Sequence, residues 1–360
     1  MSVSRAEDCL QEIGSGEWAN RLAERSEPPH DFPLAGSVEL TLRCNLRCRH
    51  CYAVCPGLAD GELPTDLWKR LFDQLAARGV LWLALTGGEV FLRQDFRELY
   101  LHVRRAGLLP ILLTNATLVD SALADFLAEH PPRRIEATAY GHTPATYERI
   151  AGVPGSFRQF RLGVERLLER RLPLHLKMMV LRSNVHEFEA VRQWAEALGR
   201  PFRYDAVVQP RLDGDRAPTA ERLPADDVAR LRFGNGRGSD AVLPDRAPSG
   251  PARLPTPLFQ CGAGTRTFHV DRRGRMHPCL MWRSDPFDPF AHSLDEDWRR
   301  HIRGLRALPR SAASVCAGCP DAPRCPICPA LALLETGSPD EPAPYYCAIA
   351  RAGEKRLDMA

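Results

Sequence analysis

Cys44, Cys48 and Cys51 stand in the run Cys44-Asn45-Leu46-Arg47-Cys48-Arg49-His50-Cys51-Tyr52. This Cys-x3-Cys-x2-Cys spacing brings three thiolates onto one short loop. A zinc site closes with four ligands, whereas a four-iron cubane can take three thiolates and leave its fourth iron open to a substrate or cosubstrate. The alternatives are a zinc knuckle or three cysteines packed as small hydrophobes.

The elements that must position this loop are legible as alternation. Between residues 38 and 208, β-rich apolar runs alternate with amphipathic helical stretches, the pattern of consecutive βα units and a parallel sheet. Six strands are predicted, over 38–42, 80–85, 109–114, 134–139, 174–181 and 202–207. Leu67, Leu71, Phe72 and Leu75 mark the face of the first helix, with Gly79 as its stop, and Val164, Leu167 and Leu168 mark a later one. The polar motifs follow strand ends: the cysteine loop after the first, Thr86-Gly87-Gly88-Glu89 after the second, Asn115 after the third and Tyr140-Gly141 after the fourth. In a parallel barrel those ends open onto one face, where active sites sit. Six units instead of eight imply a partial (β/α)6 barrel of the TIM type, an α/β fold.

With its aromatic Tyr52 after the third cysteine, the loop resembles the signature of the radical S-adenosylmethionine (SAM) enzymes. The resemblance implies that Cys44, Cys48 and Cys51 hold a [4Fe-4S] cluster whose open iron chelates SAM. One electron then cleaves the sulfonium to a 5'-deoxyadenosyl radical, which abstracts hydrogen. It also implies roles at the cosubstrate. Gly87, Gly88 and Glu89 resemble the motif for the SAM amino group: glycines let backbone approach a ligand, and a carboxylate accepts from an ammonium. Thr138 would face the ribose, and Arg149 would pair the SAM carboxylate or else be a solvated helix arginine. Asn115 is either a site residue or a turn or cap residue. The family often has a second arginine where this chain has Ala151.

Ten of the twelve cysteines fall into patterned groups, Cys9 and Cys55 being left over. Cys261, Cys279, Cys316, Cys319, Cys325, Cys328 and Cys347 resemble the SPASM extension of radical SAM enzymes, which binds two auxiliary iron-sulfur clusters. Two [4Fe-4S] cubanes need eight thiolates, so one would keep an open iron. The family's interleaved pattern puts Cys316, Cys319, Cys325 and Cys347 on one cluster and Cys261, Cys279 and Cys328 on the other. The Cys325-x2-Cys328 spacing is one residue shorter than usual, which leaves open which of the two serves which cluster. Read alone, the run from 316 to 328 would also suit a structural zinc site.

The expected organisation is an N-terminal extension over 1–35, the barrel over 36–212, a Pro/Gly-rich linker over 213–258, a small SPASM domain over 259–350 and a tail over 351–360. A hairpin is predicted around Asp271-Arg272-Arg273-Gly274. Net charge is only +3 over 360 residues, which gives no case for nucleic acid or a membrane surface. No apolar run reaches the ~18 residues of a membrane span and no signal peptide opens the chain, so a cytoplasmic protein is expected.

SPASM-bearing relatives mostly act on peptides. The runs around Gln209-Pro210-Arg211, Cys261-Gly262-Ala263-Gly264 and Tyr346-Cys347-Ala348 look most like maturases of ribosomally made peptides (RiPPs). The expected function is therefore oxidative modification, by crosslinking or a similar change, of a precursor peptide. Leader recognition would fall to a separate leader-binding protein or to the barrel and SPASM surfaces, and an electron donor of flavodoxin or ferredoxin type would be a partner. An anaerobic sulfatase-maturing oxidase is the second enzyme reading, weakened because no eighth cysteine lies between Cys261 and Cys279. A non-catalytic zinc- or iron-sulfur-binding interaction protein is the reading from another class.

Overall fold

The computed structural model describes residues 32–53, 61–233, 257–322 and 324–357. Strands β1 (Ala35–Thr41), β2 (Trp82–Gly87), β3 (Leu109–Thr114), β4 (Arg134–Thr138), β5 (Leu174–Met179) and β6 (Phe202–Asp205) are joined in parallel. Between them run helices α1 (Thr65–Ala77), α2 (Phe96–Arg105), α3 (Ser121–Glu129), α4 (Pro144–Ala151), α5 (Ser156–Glu169) and α6 (Phe188–Ala197). The parallel α/β architecture predicted from the alternation is the one observed.

Strand alternation sorts the side chains. Leu83, Leu85, Leu112, Ile135, Ala137, Leu174, Leu176 and Met178 are fully buried or nearly so and pack with Leu71, Phe72, Leu75, Val164 and Leu167 of the helices. Each such large side chain contributes about 1.5–3 kcal/mol through burial. The opposite face is polar. Register aligns Ser37 with His269, Glu39 with Thr86, Glu136 with His175, and Lys177 with both Thr138 and Arg203.

β5 and β6 stop earlier than predicted because side chains take over their backbone groups. The Asn184 amide donates to the Met179 carbonyl at 3.0 Å while its Oδ1 accepts from Leu181 N–H at 2.7 Å. Asp205 accepts from Val207 N–H at 2.9 Å.

The predicted hairpin forms as β7 (Thr267–Val270) and β8 (Met276–His277), with Gly274 at φ +80° in its turn. Its place differs from expectation. β7 pairs in parallel with β1, so the sheet has eight strands in the order β6-β5-β4-β3-β2-β1-β7-β8. From Phe32 onward the chain is one compact unit.

Two stretches expected to be linker and tail contain regular structure. The stretch assigned to a linker contains a 3-10 turn (Ala217–Glu221) and helix α7 (Ala225–Phe233), which buries Val228 and Ala229. Its Gly- and Pro-rich remainder, 234–256, lies outside the described residues, as do Cys9 and Cys55. After α8 (Leu294–Ala307) and α9 (Pro329–Thr336), helix α10 (Pro344–Leu357) continues through most of the segment assigned to a tail. α7 and α10 pack so closely that a Cβ on Gly353 would meet the Phe233 ring at 2.6 Å.

Candidate active site

The cysteine loop leaves β1 and is held from two sides. Gly88 N–H donates to the Thr41 carbonyl and Glu89 N–H to the Arg43 carbonyl, each at 2.8 Å. The last carbonyls of a helix lack intrahelical partners. Those of Ile150 and Ala151 in α4 accept from Arg49 N–H at 3.1 Å and Arg47 N–H at 2.8 Å. Gly152 ends α4 at φ +69°, and a Cβ there would lie 2.8 Å from the Arg47 carbonyl.

Within the loop Cys51 N–H donates to the Cys48 carbonyl at 3.1 Å. Burial pushes the Cys44 thiol up to about 11, and the charges of Glu89 and Cys51 add to the effect. Burial likewise pushes Cys48 to about 12; the Tyr140 hydroxyl opposes the shift by hydrogen bonding, while Cys51 and Cys44 reinforce it. Without a cation these groups stay thiols; a bound metal removes that penalty by deprotonating its ligands. The three sense one another's charge. Three thiols on one loop are a donor set that fits corners of a polynuclear iron-sulfur cluster.

The Gly87-Gly88-Glu89 turn lies against the loop in a way the sequence did not convey. Gly87 has φ +137° and a Cβ there would be 2.0 Å from the Thr41 carbonyl; one on Gly88 would be 2.2 Å from that of Arg43. The glycines are required by the root of the cysteine loop itself. The Glu89 carboxylate is fully buried and turned inward. It accepts from Thr114 O–H at 2.8 and 2.9 Å, Asn115 N–H at 2.8 Å and Phe91 N–H at 3.3 Å. Burial raises it to about 7 against those hydrogen bonds.

Asn115 is not the cap of α3, a place taken by Asp120. Its amide donates to Asn45 Oδ1 at 3.0 Å and approaches Cys44 Sγ at 3.9 Å, while its Oδ1 accepts from Thr117 N–H at 2.9 Å. It thus ties the end of β3 to the loop. Thr138 sits on the polar face at the end of β4, beside Lys177. Half-buried Tyr52 accepts from Leu212 N–H at 2.9 Å through its carbonyl. Arg149 is on the exposed side of α4 and donates to the Ser183 carbonyl at 2.5 Å, so the structure does not bring it to the thiols.

The later cysteines divide into two neighbourhoods. Cys261, Cys279 and Cys328 pack with Leu258, Phe259, Ala263, Trp282 and Ala330. Burial raises Cys328 to about 11, opposed by N–H groups of Leu331 and Ala330 at the start of α9 and reinforced by Cys279 and Cys261. Cys347 is raised by burial and then by Cys316, with Cys319 adding to the shift. Cys325 borders the main core, within electrostatic reach of Arg232.

Several polar groups at the site were not singled out from the sequence. His50 stacks edge-on with Tyr140 at 5.2 Å and is pushed down to about 4 by burial. Glu39 accepts from Arg283 at 2.6 Å and neighbours His269 at 3.7 Å, and Arg283 in turn reaches Cys279 electrostatically. A cavity of about 450 Å³ opens beside them, lined by Leu42, Ala53, Leu212, Arg272 and Arg283 among others. The available signal was a charged residue at alternate positions of an apolar strand, as in Leu174-His175-Leu176-Lys177-Met178.

Comparison with known proteins agrees with this geometry. Residues 38–195 match the model of the Radical SAM superfamily. The chain is 31% identical over 317 residues to the PqqA peptide cyclase of Ruegeria pomeroyi, covering 82% of this chain and 83% of that protein. It is 32% identical to the AdoMet-dependent heme synthase of Methanosarcina barkeri, spanning only about half of each, 52% and 54%. In fold it resembles Streptococcus suis SuiB bound to precursor peptide SuiA, with a TM-score of 0.69, 15% identity and coverage of 96% of this chain and 84% of that one. Native anSMEcpe with bound AdoMet gives 0.66, 15%, 91% and 97%. Three thiols on a loop after the first strand of a partial parallel barrel, matched by model and by relative, carry one conclusion: this chain is an enzyme of the radical SAM superfamily.

Proposed function

We propose that this chain modifies a ribosomally made precursor peptide oxidatively, using Cys44, Cys48 and Cys51 to hold a [4Fe-4S] cluster that binds SAM. The carrying observation is the gathering of these thiols at the carboxyl ends of the strands, above a polar inner face. The likeness to a peptide cyclase, over 82% of this chain and 83% of that protein, supports the peptide substrate. When bound, the cluster supplies the electron that splits SAM into methionine and a 5'-deoxyadenosyl radical able to take a hydrogen atom. The protein's part is positional. Main-chain hydrogen bonds from α4 and the Gly87-Gly88 turn fix the loop, Asn115 and Tyr140 orient Cys44 and Cys48, and Thr138 lines the approach.

Residues 259–350 form the SPASM portion in this reading. Cys261, Cys279 and Cys328 hold one auxiliary cluster, while Cys316, Cys319 and Cys347 with Cys325 hold the other; the two thiol neighbourhoods support this division. When bound there, one auxiliary cluster would supply an electron acceptor or a binding point for the substrate. A separate leader-binding protein, or the barrel and SPASM surfaces themselves, would hold the leader, and a flavodoxin- or ferredoxin-type donor would supply electrons, in the cytoplasm. The test is anaerobic reconstitution with iron and sulfide, then SAM and dithionite. Release of 5'-deoxyadenosine is expected, and a coexpressed precursor peptide should lose two hydrogens by mass. An intact first cluster that leaves SAM uncleaved would sink the proposal.

A further inference from the structure

Of 48 basic residues only three are lysine: Lys69, Lys177 and Lys355. Lys69 pairs with Glu98 at the surface. Lys177 is on the polar inner face of the sheet, in register with Thr138 on one side and Arg203 on the other. A chain that otherwise supplies its cations as arginine has a compact, strongly hydrated point charge there.

The carboxylates on this face are already paired or hydrogen-bonded, and His175 lies beside Glu136 and the arginines. Glu136 pairs with Arg134 at 2.9 Å and with Arg203. Glu39 is held by Arg283, and Asp205 accepts from Val207 N–H. Among the described residues no acceptor or carboxylate pairs with the Lys177 ammonium. Burial and then the charge of Arg203 push the ammonium below its ordinary value, although Glu136 and Asp205 pull the other way. Lys177, Arg134 and Arg203 thus face two carboxylates, and one of those already serves both arginines. Lys177 is half-buried and its ammonium keeps some solvent contact, so a carboxylate arriving on this face would find a cation that no side chain already pairs. The position also matters: Lys177 lies within electrostatic reach of His50, inside the cysteine loop.

We propose that Lys177 is the substrate anchor of the inner face, its ammonium pairing with a carboxylate of the bound substrate beside the cysteine loop. Resting on the peptide reading above, the anchored group is the side chain of an Asp or Glu close to the modified position. The pairing neutralises the excess cation and fixes the distance between that acidic residue and the loop.

The first test needs no knowledge of the peptide. Reconstituted holoenzyme is acetylated under anaerobic conditions, and modification of Lys177 is read by mass spectrometry against Lys69 as internal control, with glutarate or its uncharged analogue glutaramide present. Glutarate should slow labelling of Lys177 relative to Lys69, and glutaramide should not. Equal labelling with both overturns the anchor. Full protection by SAM alone, with no further effect of glutarate, assigns the ammonium to the cosubstrate carboxylate and overturns it too.

The second test uses synthetic peptide pairs differing only as Glu or Gln. The native enzyme should prefer the acidic member by about tenfold in binding, as expected of a partly desolvated charge pair. Lys177→Met should erase the preference, and Lys177→Arg should restore part of it. A preference that survives Lys177→Met overturns the proposal. Binding of neither member would instead count against the peptide reading, with the glutarate comparison still deciding the anchor.

Discussion

Glu89 shows how much of a residue's surroundings lies outside its own segment. Its carboxylate is buried and accepts from Thr114, Asn115 and Phe91. Because burial raises its pKa from 4.5 to about 7, the folded protein holds this proton more tightly than the unfolded chain. Its contribution to stability is therefore largest below pH 4.5 and is lost as pH rises toward 7. Glu89→Gln removes the titration. Relative to the native protein the variant should gain up to about 3 kcal/mol between pH 4.5 and 7.5, measured by denaturant unfolding across that range. A pH-independent difference would show that the buried carboxylate does not titrate there.

Among the elements, the junction of β1 and β7 is the least expected, and one glycine makes it possible. A Cβ on Gly36 would come 2.1 Å from the Phe268 ring, which lies across β1 and packs with Phe32 and Trp298. Gly36→Ala should cost about 1–3 kcal/mol by overpacking. Phe268→Ala, which empties the same space, should cost about 3–5 kcal/mol. Thermal unfolding of both variants checks this, and a neutral Gly36→Ala would mean that the hairpin is not seated on β1 as described. Apolar periodicity gave the six parallel strands and most helix faces. It could not show that a hairpin some 230 residues further on completes the sheet edge, because strand pairing carries no local signal.

At the scale of the whole molecule, the cysteines gather in three places. Replacing Cys44, Cys48 and Cys51 by Ala should abolish SAM cleavage and remove about four of about twelve irons in the reconstituted protein. Replacing Cys261, Cys279 and Cys328 together, or Cys316, Cys319 and Cys347 together, should each remove about four others and leave SAM cleavage in place. Iron analysis with electron paramagnetic resonance of each variant checks the grouping. Loss of about eight irons from either later triple would mean that the two neighbourhoods form one cooperative centre.

The sequence by itself determined what is encoded over short spans: three thiols within one loop, the βα alternation and the turn motifs at strand ends. These depend on spacing along a covalent chain and on period-2 and period-3.6 patterning. Tertiary structure decided what depends on distant neighbours. It placed Cys328 with Cys261 and Cys279, turned Glu89 inward, moved Arg149 to the outside, and left Lys177 on a polar face where every nearby carboxylate is engaged elsewhere or out of pairing reach. Burial and strand register set those relations, and both are properties of the assembled sheet, absent from any single segment.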